Sequence, residues 1–217
     1  SMGLPINKLI CASNQNNVLT EFIKEGIYDR NRNFYKTISP SMDILISSNL
    51  ERLLLELSGD SSKVVKWMDE LKATGRYAID RELKEKMASS FWADFSSDSE
   101  TKRRIKNIYE SHQYVIDTHT AVAWDVYEKY KQETGDKHPT IIISTASPFK
   151  FNTSVCEAIF GKDILEDKNE LELLTVLAEK TGLNIPVALT KLIEKPILHK
   201  QVSRKEEMPK CVDEFLC

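Results

Sequence analysis

Short apolar runs and segments of helical period alternate at the start of the chain. Residues 8–13 form an apolar run that ends in the polar cluster 14–17, and a helical pattern follows over 18–26. An apolar run of this length predicts a buried strand, and the pattern after it predicts a loop and a helix.

The pattern then becomes charged and helical. Pro40 limits regular structure ahead of this block, and residues 47–49 offer side-chain oxygens to cap a helix that starts near Leu50. Apolar residues recur at helical spacing through residues 50–112, and the charged residues between them are typical of solvated helix faces. This block therefore predicts a helical subdomain.

A sheet pattern returns after the helical block. Residues 114–116 predict a strand that ends at Asp117, and a helix follows from about Thr120. Residues 140–143, Thr-Ile-Ile-Ile, are the most β-branched run of the chain and predict a fully buried parallel strand. A helix is expected next over residues 153–160. Beyond residue 163 the pattern is that of an amphipathic helix, with breaks expected at Gly182, Pro186, Pro196 and Pro209.

These elements predict an α/β protein, helix-rich overall, with a partial parallel sheet, flanking helices and a mostly helical inserted subdomain. The predicted organisation places residues 3–49 and 113–196 in one α/β domain, with residues 50–112 as the helical insertion. Residues 197–217 form a C-terminal tail.

Composition narrows the classes of function. The 217 residues are 41% hydrophobic and 29% charged, with a net charge of −3, which are the values of an ordinary soluble protein. A span of about 18 apolar residues and a basic excess are both missing, so we expect neither a membrane nor a nucleic acid as partner. The cysteines and histidines lack metal-ligand spacing, so we expect no metal site. Scattered thiols predict a cytoplasmic protein.

Glycine usage bears on phosphate binding. The seven glycines are dispersed, and the closest pair, Gly59 and Gly75, is 16 residues apart. Phosphate-binding loops need two or three glycines within a few residues, so that backbone N–H groups can approach the phosphate. If this chain handles a phosphorylated cofactor, we expect that it does not hold the phosphate alone.

Candidate chemistry lies in the loops that follow the predicted strands, because ligands of open α/β sheets bind beyond the carboxyl ends of strands. His119 suits acid, base or stacking roles, or satisfies backbone groups at a helix start. Asp117 is equally an ordinary N-cap. The hydroxyls of Ser144 and Thr145 either contact a ligand or cap the next turn, and Asn14 has the same two interpretations.

Five segments resemble threonine synthase and occur in that family's order. They are Leu-Ile-Cys-Ala-Ser-Asn at 9–14, Ser-Pro-Ser-Met-Asp-Ile-Leu-Ile-Ser-Ser-Asn-Leu-Glu-Arg at 39–52, Tyr-Val-Ile-Asp-Thr-His-Thr-Ala-Val-Ala at 114–123, Ser-Thr-Ala-Ser-Pro-Phe-Lys-Phe at 144–151, and the tail at 183–196. The resemblance is to the C-terminal half of the family only. The 50–112 block also resembles the helical segment of long-form members.

The resemblance implies an enzyme of the tryptophan-synthase-β fold type that converts O-phosphohomoserine and water to threonine and phosphate, with pyridoxal phosphate as electron sink. It also implies that Thr145 hydrogen-bonds the pyridine nitrogen, in a cofactor domain built from residues 3–49 and 113–196. The remaining residues that it implies form two groups. The cofactor side has Ser144, Asp117, His119 and Thr120, and the substrate side has Asn14, Ser41, Asp43 and Asn49.

Three motifs of the family are missing from this chain. These are the Schiff-base lysine in Phe-Lys-Asp, the Ser-Gly-Asp-Thr-Gly loop and the Gly-Asn-Phe-Gly loop that holds the cofactor phosphate. We therefore expect this chain alone to have no catalytic lysine, to bind no cofactor and to be inactive. We expect its partners to be the missing N-terminal half or a second copy at an exposed sheet edge. A non-catalytic binding module and another pyridoxal-phosphate lyase of the same fold type are the alternatives.

Overall fold

The computed structural model describes residues 3–192, 195–196, 198 and 200–216. The tail predicted at 197–217 therefore includes three residues, Ile197, His199 and Cys217, that lie outside the described residues. The strands are β1 (Leu9–Ser13), β2 (Ile27–Asp29), β3 (Arg76–Ala78) and β4 (Phe91–Phe95). The helices are α1 (Val18–Glu25), α2 (Leu50–Ser58), α3 (Ser61–Thr74), α4 (Arg81–Ser90), α5 (Asp98–His112), α6 (Thr118–Thr134), α7 (Asn152–Phe160), α8 (Glu170–Thr181), α9 (Val187–Thr190) and α10 (Met208–Leu216). This helix-rich chain with a small parallel sheet confirms the predicted α/β class.

The parallel sheet joins distant parts of the chain. β1 pairs with β4 in register from Leu9 opposite Phe91 to Ser13 opposite Phe95. β3 and β4 both lie inside the 50–112 block, which is mostly helical as predicted, but neither strand was predicted from the sequence. A five-residue strand whose fourth residue, Asp94, is charged has no alternation strong enough to stand out beside amphipathic helices. Its backbone groups are satisfied by a strand 82 positions earlier.

A second, antiparallel pair, β2 and β3, carries the aromatic centre of the core. Tyr28 lies opposite Tyr77, and their rings stack with centroids 5.3 Å apart. Phe22 of α1 contacts both rings edge-on at 5.6 Å. Each of these side chains is at most 2% exposed. This cluster fixes α1, and with it the end of β1, against α2 and α3.

Two predicted strands are absent. Residues 114–116 and 140–143 have no strand structure, although Val115 and Ile116 are buried. Ile141 is 85% exposed and Ile143 is 72% exposed, so the expectation of a fully buried strand is wrong for this chain. The physical reason is that a strand needs a neighbour for its backbone groups. Within the described residues, neither segment is hydrogen-bonded into a sheet, because the four strands pair only as β1 with β4 and β2 with β3.

Helix ends follow their predicted signals in most places. α1 ends at Gly26, α7 ends at Gly161, and α6 begins directly after Asp117. The predicted cap of α2 is wrong, because Asn49 makes no side-chain cap hydrogen bond and its Oδ1 accepts one from Arg52 instead. The break expected at Pro209 is also wrong. Pro209 is the second residue of α10, where a missing N–H costs no helical hydrogen bond.

The chain divides into two compact units between Leu183 and Asn184. The first unit holds all four strands and α1–α8, and the second holds α9 and α10. None of the helices in the described part of the chain is long and apolar enough to cross a membrane. The boundaries predicted at residues 49, 112 and 196 remain predictions.

Candidate functional site

A polar cluster closes the carboxyl end of β1. We name it the β1-end cluster, and its members are Asn14, Asn16, Thr37, Ser39 and Asp43. Asp43 Oδ1 accepts hydrogen bonds from Asn14 Nδ2 (2.7 Å), Thr37 Oγ1 (2.8 Å) and Asn16 Nδ2 (3.0 Å), and its Oδ2 accepts one from Thr37 N (3.0 Å). One carboxylate thus ties the loop after β1 to the segment 37–43.

Asn14 is the centre of this cluster and is 1% exposed. Its Nδ2 also donates to Ser39 Oγ (3.1 Å), and its Oδ1 accepts from Asn16 N (2.9 Å). A buried amide with partners on both its oxygen and its nitrogen is held in one orientation. The Asn14 side chain is therefore fixed by the chain itself.

The second group of polar residues lies at the N-terminus of α6. Asp117 is 1% exposed and accepts hydrogen bonds from His119 N (2.8 Å), Thr120 N (3.2 Å) and the Thr120 hydroxyl. Burial by itself raises the pKa of the Asp117 carboxyl, but hydrogen bonds from His119 and Thr120 outweigh burial and hold that pKa below its ordinary value. Asp117 is thus an ionised N-cap at neutral pH.

His119 connects the two groups. Its Nε2 accepts a hydrogen bond from the backbone N–H of Ser41 at 3.1 Å, and its Nδ1 lies 3.5 Å from Asp117 Oδ1. The Phe151 ring lies against the imidazole, with centroids 4.6 Å apart. Ser41 belongs to the short 3-10 turn Pro40–Met42, which leads directly into the β1-end cluster at Asp43.

Ser144 joins the same chain of contacts, because its Oγ shares a hydrogen bond of 2.8 Å with Thr120 Oγ1. Thr145, the next residue, is exposed. The Ser144 hydroxyl is therefore bonded to the first turn of α6, while Thr145 directly follows it in the chain. Such hydroxyls can donate to or accept from a planar heteroaromatic ligand.

The structure brings together most of the residues that the sequence predicted for the site. They form two series of contacts that the chain joins at residues 41–43. One is the pair Asn14 and Asp43, and the other runs through Ser41, His119, Asp117, Thr120 and Ser144. Asn49 joins neither series, since its side chain is bonded to Arg52. Sequence reasoning missed Thr37, Ser39 and Phe151. The polar doublet Thr37 and Ser39 ahead of Pro40 was the available signal.

Two other kinds of site, a metal site and a nucleophilic cysteine, have little support in the described residues. No group of three His, Cys, Asp or Glu side chains in the described residues is placed to hold a metal ion. Burial raises the pKa of the Cys11 and Cys156 thiols to about 11, so both are protonated at neutral pH and are poor nucleophiles.

These features define an α/β domain with a polar edge, built where the end of a parallel strand meets the capped N-terminus of a helix. The comparisons with known proteins make this more specific. A family model described as "Threonine synthase, C-terminal" matches residues 120–212. Threonine synthase of Saccharomyces cerevisiae is 40% identical over 201 residues, which cover 82% of this chain and 39% of the relative. Threonine synthase-like 1 of Homo sapiens is 43% identical over 176 residues, covering 80% of this chain and 23% of the relative.

Solved structures agree with these relatives. The crystal structure of threonine synthase from yeast matches with a TM-score of 0.82 at 34% identity, over 99% of this chain and 43% of that one. The structure of PLP-bound threonine synthase from Brucella melitensis matches with a TM-score of 0.69 at 35% identity, over 80% of this chain and 37% of that one. This chain resembles the C-terminal part of threonine synthase, and it spans well under half the length of the relatives it matches.

Proposed function

We propose that this chain is the C-terminal part of a threonine synthase, which converts O-phosphohomoserine and water to threonine and phosphate with pyridoxal phosphate. The observation that carries the proposal is the match of nearly the whole chain to the yeast enzyme, with a TM-score of 0.82. The predicted site residues meet at one edge of the fold, and this supports a ligand site there. We also infer a cytoplasmic location from the scattered thiols.

The residues of this chain fit the ring of pyridoxal phosphate but do not form a site for its phosphate. The hydroxyl of Ser144, bonded to the α6 N-terminus, and that of the exposed neighbour Thr145 suit the polar atoms of its ring. The glycines do not form a phosphate cradle, because most of them end helices in the left-handed conformation. These are Gly26, Gly59, Gly75, Gly135 and Gly182. We infer that the chain supplies a wall of the ring pocket, while the phosphate loop and the Schiff-base lysine come from another part of the enzyme.

Within that wall, the residues take distinct roles. The cofactor, when bound, supplies an electron sink for the carbanion chemistry. We propose that Thr145 hydrogen-bonds the pyridine nitrogen, while Thr120 orients Ser144 and is itself held by Asp117. A neutral hydroxyl at the ring nitrogen does not favour a protonated ring as a carboxylate would. On the substrate side, the β1-end cluster fixes Asn14 and the Ser41 turn before any ligand arrives.

The exposed segment 140–143 supports the proposal that a partner completes the fold. The segment has the β-branched composition of a buried strand, yet Ile141 and Ile143 are exposed to solvent. We propose that a strand of the N-terminal half pairs with it. In the absence of that half, a second copy of this chain is expected to cover the segment.

The test is an assay of the longer protein that contains this chain. We expect phosphate and threonine to appear in equal amounts from O-phosphohomoserine, and the 217-residue chain alone to produce neither. The upstream reading frame is an independent check, because the proposal requires it to encode the Phe-Lys-Asp and Gly-Asn-Phe-Gly motifs. A start codon directly before residue 3, with no such sequence upstream, would contradict the proposal and favour a binding module.

The 43% identity to threonine synthase-like 1 supports a second candidate, another pyridoxal-phosphate lyase of this fold type. The same assay separates the two enzymes. Phosphate release without an equal amount of threonine identifies the lyase, whereas equal amounts identify threonine synthase.

A further inference from the structure

His119 is surrounded by groups that determine where its single ring proton lies. A backbone N–H can only donate a hydrogen bond, so the Ser41 amide at 3.1 Å requires a lone pair on Nε2. The proton of the neutral ring is therefore on Nδ1. There it faces Asp117 Oδ1 at 3.5 Å and Thr118 Oγ1 at 3.4 Å, both of which can accept it.

The ring is confined as well as hydrogen-bonded. Its side chain is 13% exposed, and Phe151 lies against it at 4.6 Å. Asp117, which faces the ring proton, is itself fixed by His119 N and Thr120 N. In this arrangement Nε2 can bind a ligand only if the Ser41 amide loses its acceptor.

We propose that His119 is a positioning residue, whose Nδ1–H tautomer braces the Ser41 turn against the N-terminus of α6, and that it does not itself contact cofactor or substrate. Through Ser41 it sets the turn that carries Asp43 and, with it, Asn14. His119 itself belongs to the first turn of α6, two residues after Asp117 and one before Thr120. That these groups belong to a ligand site rests on the proposed function, whereas the brace rests only on the contacts of His119.

The direct test is nuclear magnetic resonance of the 217-residue chain with ¹⁵N-labelled histidine. We expect His119 to show a protonated Nδ1 and an unprotonated Nε2 at neutral pH. The opposite tautomer, or rapid exchange between the two, would overturn the proposal without any variant or substrate.

Two variants separate the brace from general damage to the fold. Gln at position 119 can place its amide oxygen near the position of Nε2, whereas the shorter Asn cannot reach it. We expect hydrogen exchange of the Ser41 amide to be roughly 3- to 10-fold faster in His119→Asn and near the wild-type rate in His119→Gln. His138→Gln is the control, because that ring contacts Asp136 instead. Equal exchange rates in all variants would contradict the brace.

In the longer protein, the same pair gives a functional measurement. We expect His119→Gln to rescue most of the kcat that His119→Asn loses, with KM changed less than kcat. If the longer protein lacks threonine synthase activity altogether, the proposed function fails while the exchange and tautomer results still stand. If the activity is present and His119→Gln is as damaged as His119→Asn, the positioning role fails instead.

Discussion

Two loops of this chain were predicted to line the same site. One is closed by its own hydrogen bonds, and the other is exposed to solvent. At the end of β1, the β1-end cluster is closed by its own side chains, and Asp43 accepts four hydrogen bonds from three neighbours. After α6, Ile141 and Ile143 are exposed to solvent, and no strand in the described part of the chain pairs with residues 140–146. The first region is complete within these residues, and the second needs something that they do not contain. The comparison shows which of the two predicted loops the chain organises with its own side chains.

The largest expected effect comes from opening the closed region. Asp43→Ala leaves the amides of Asn14 and Asn16 and the Thr37 hydroxyl without their shared acceptor, so we expect the free energy of unfolding to fall by about 2–3 kcal/mol. Chemical denaturation measures this fall. The exposed carboxylate of Asp163 is the control, and its change to Ala should cost at most about 0.5 kcal/mol. Equal effects at both positions would remove the distinction between the two regions.

The next effect is a change in the pH dependence of stability at Asp117, the N-cap of α6. The pKa of Asp117 in the folded chain lies below its ordinary value of 3.8, so its ionised form stabilises the fold above that pH. This stabilisation is lost as the pH falls through the folded pKa. Asp117→Asn keeps an N-cap side chain but has no charge, so its unfolding free energy should depend less on pH below about 4. Parallel pH profiles for variant and wild type would contradict this prediction.

A smaller effect on the free energy of unfolding distinguishes the two stacked tyrosines of the core, Tyr28 and Tyr77. Tyr28 donates to Leu45 O at 3.0 Å and accepts from Ser47 N at 2.9 Å, whereas the Tyr77 hydroxyl is buried without a partner among the described residues. Tyr28→Phe should lower the free energy of unfolding by about 1–2 kcal/mol. Tyr77→Phe should leave it unchanged or raise it by up to about 1 kcal/mol. The opposite order would show that the hydroxyls are not what distinguishes the two positions.

The smallest effect on stability is expected in the open region. Ile141→Thr keeps a β-branched side chain at a position that is 85% exposed, so the free energy of unfolding should change by less than about 0.5 kcal/mol. Binding of a hydrophobic dye and self-association should both decrease. Ile116→Thr is the contrast, because that residue is 2% exposed and its change should cost about 2 kcal/mol. A large loss of stability at Ile141 would mean that the segment is already covered.

Sequence patterns predicted this fold where the interactions are local. The Asp117 cap, the Gly26 stop and α6 follow from neighbouring residues, and the structure has all three. β4 was missed because its partner β1 is distant and its own pattern is short. Residues 140–143 were predicted as a buried strand from their composition, which does not report whether a neighbouring strand is present.

The site shows the same division. Asn14 was predicted from its place after the first strand and from resemblance, and Asp43 from resemblance alone. Their direct hydrogen bond and the role of Thr37 depend on how a 3-10 turn folds back onto β1. The contact between His119 and the Ser41 amide joins residues 78 positions apart, so no local signal marks it. Thr145 was predicted as a ligand group, and its part in the site remains a prediction.

The central claim is that this chain forms one wall of a pyridoxal-phosphate pocket and lacks the lysine that holds the cofactor. Incubating the 217-residue chain with pyridoxal phosphate, reducing with borohydride and mapping the modified lysines by mass spectrometry tests it most directly. We expect only low, scattered labelling of surface lysines, and one stoichiometric lysine in the longer protein outside these 217 residues. Stoichiometric labelling of a single lysine within this chain, such as Lys150, would contradict the account.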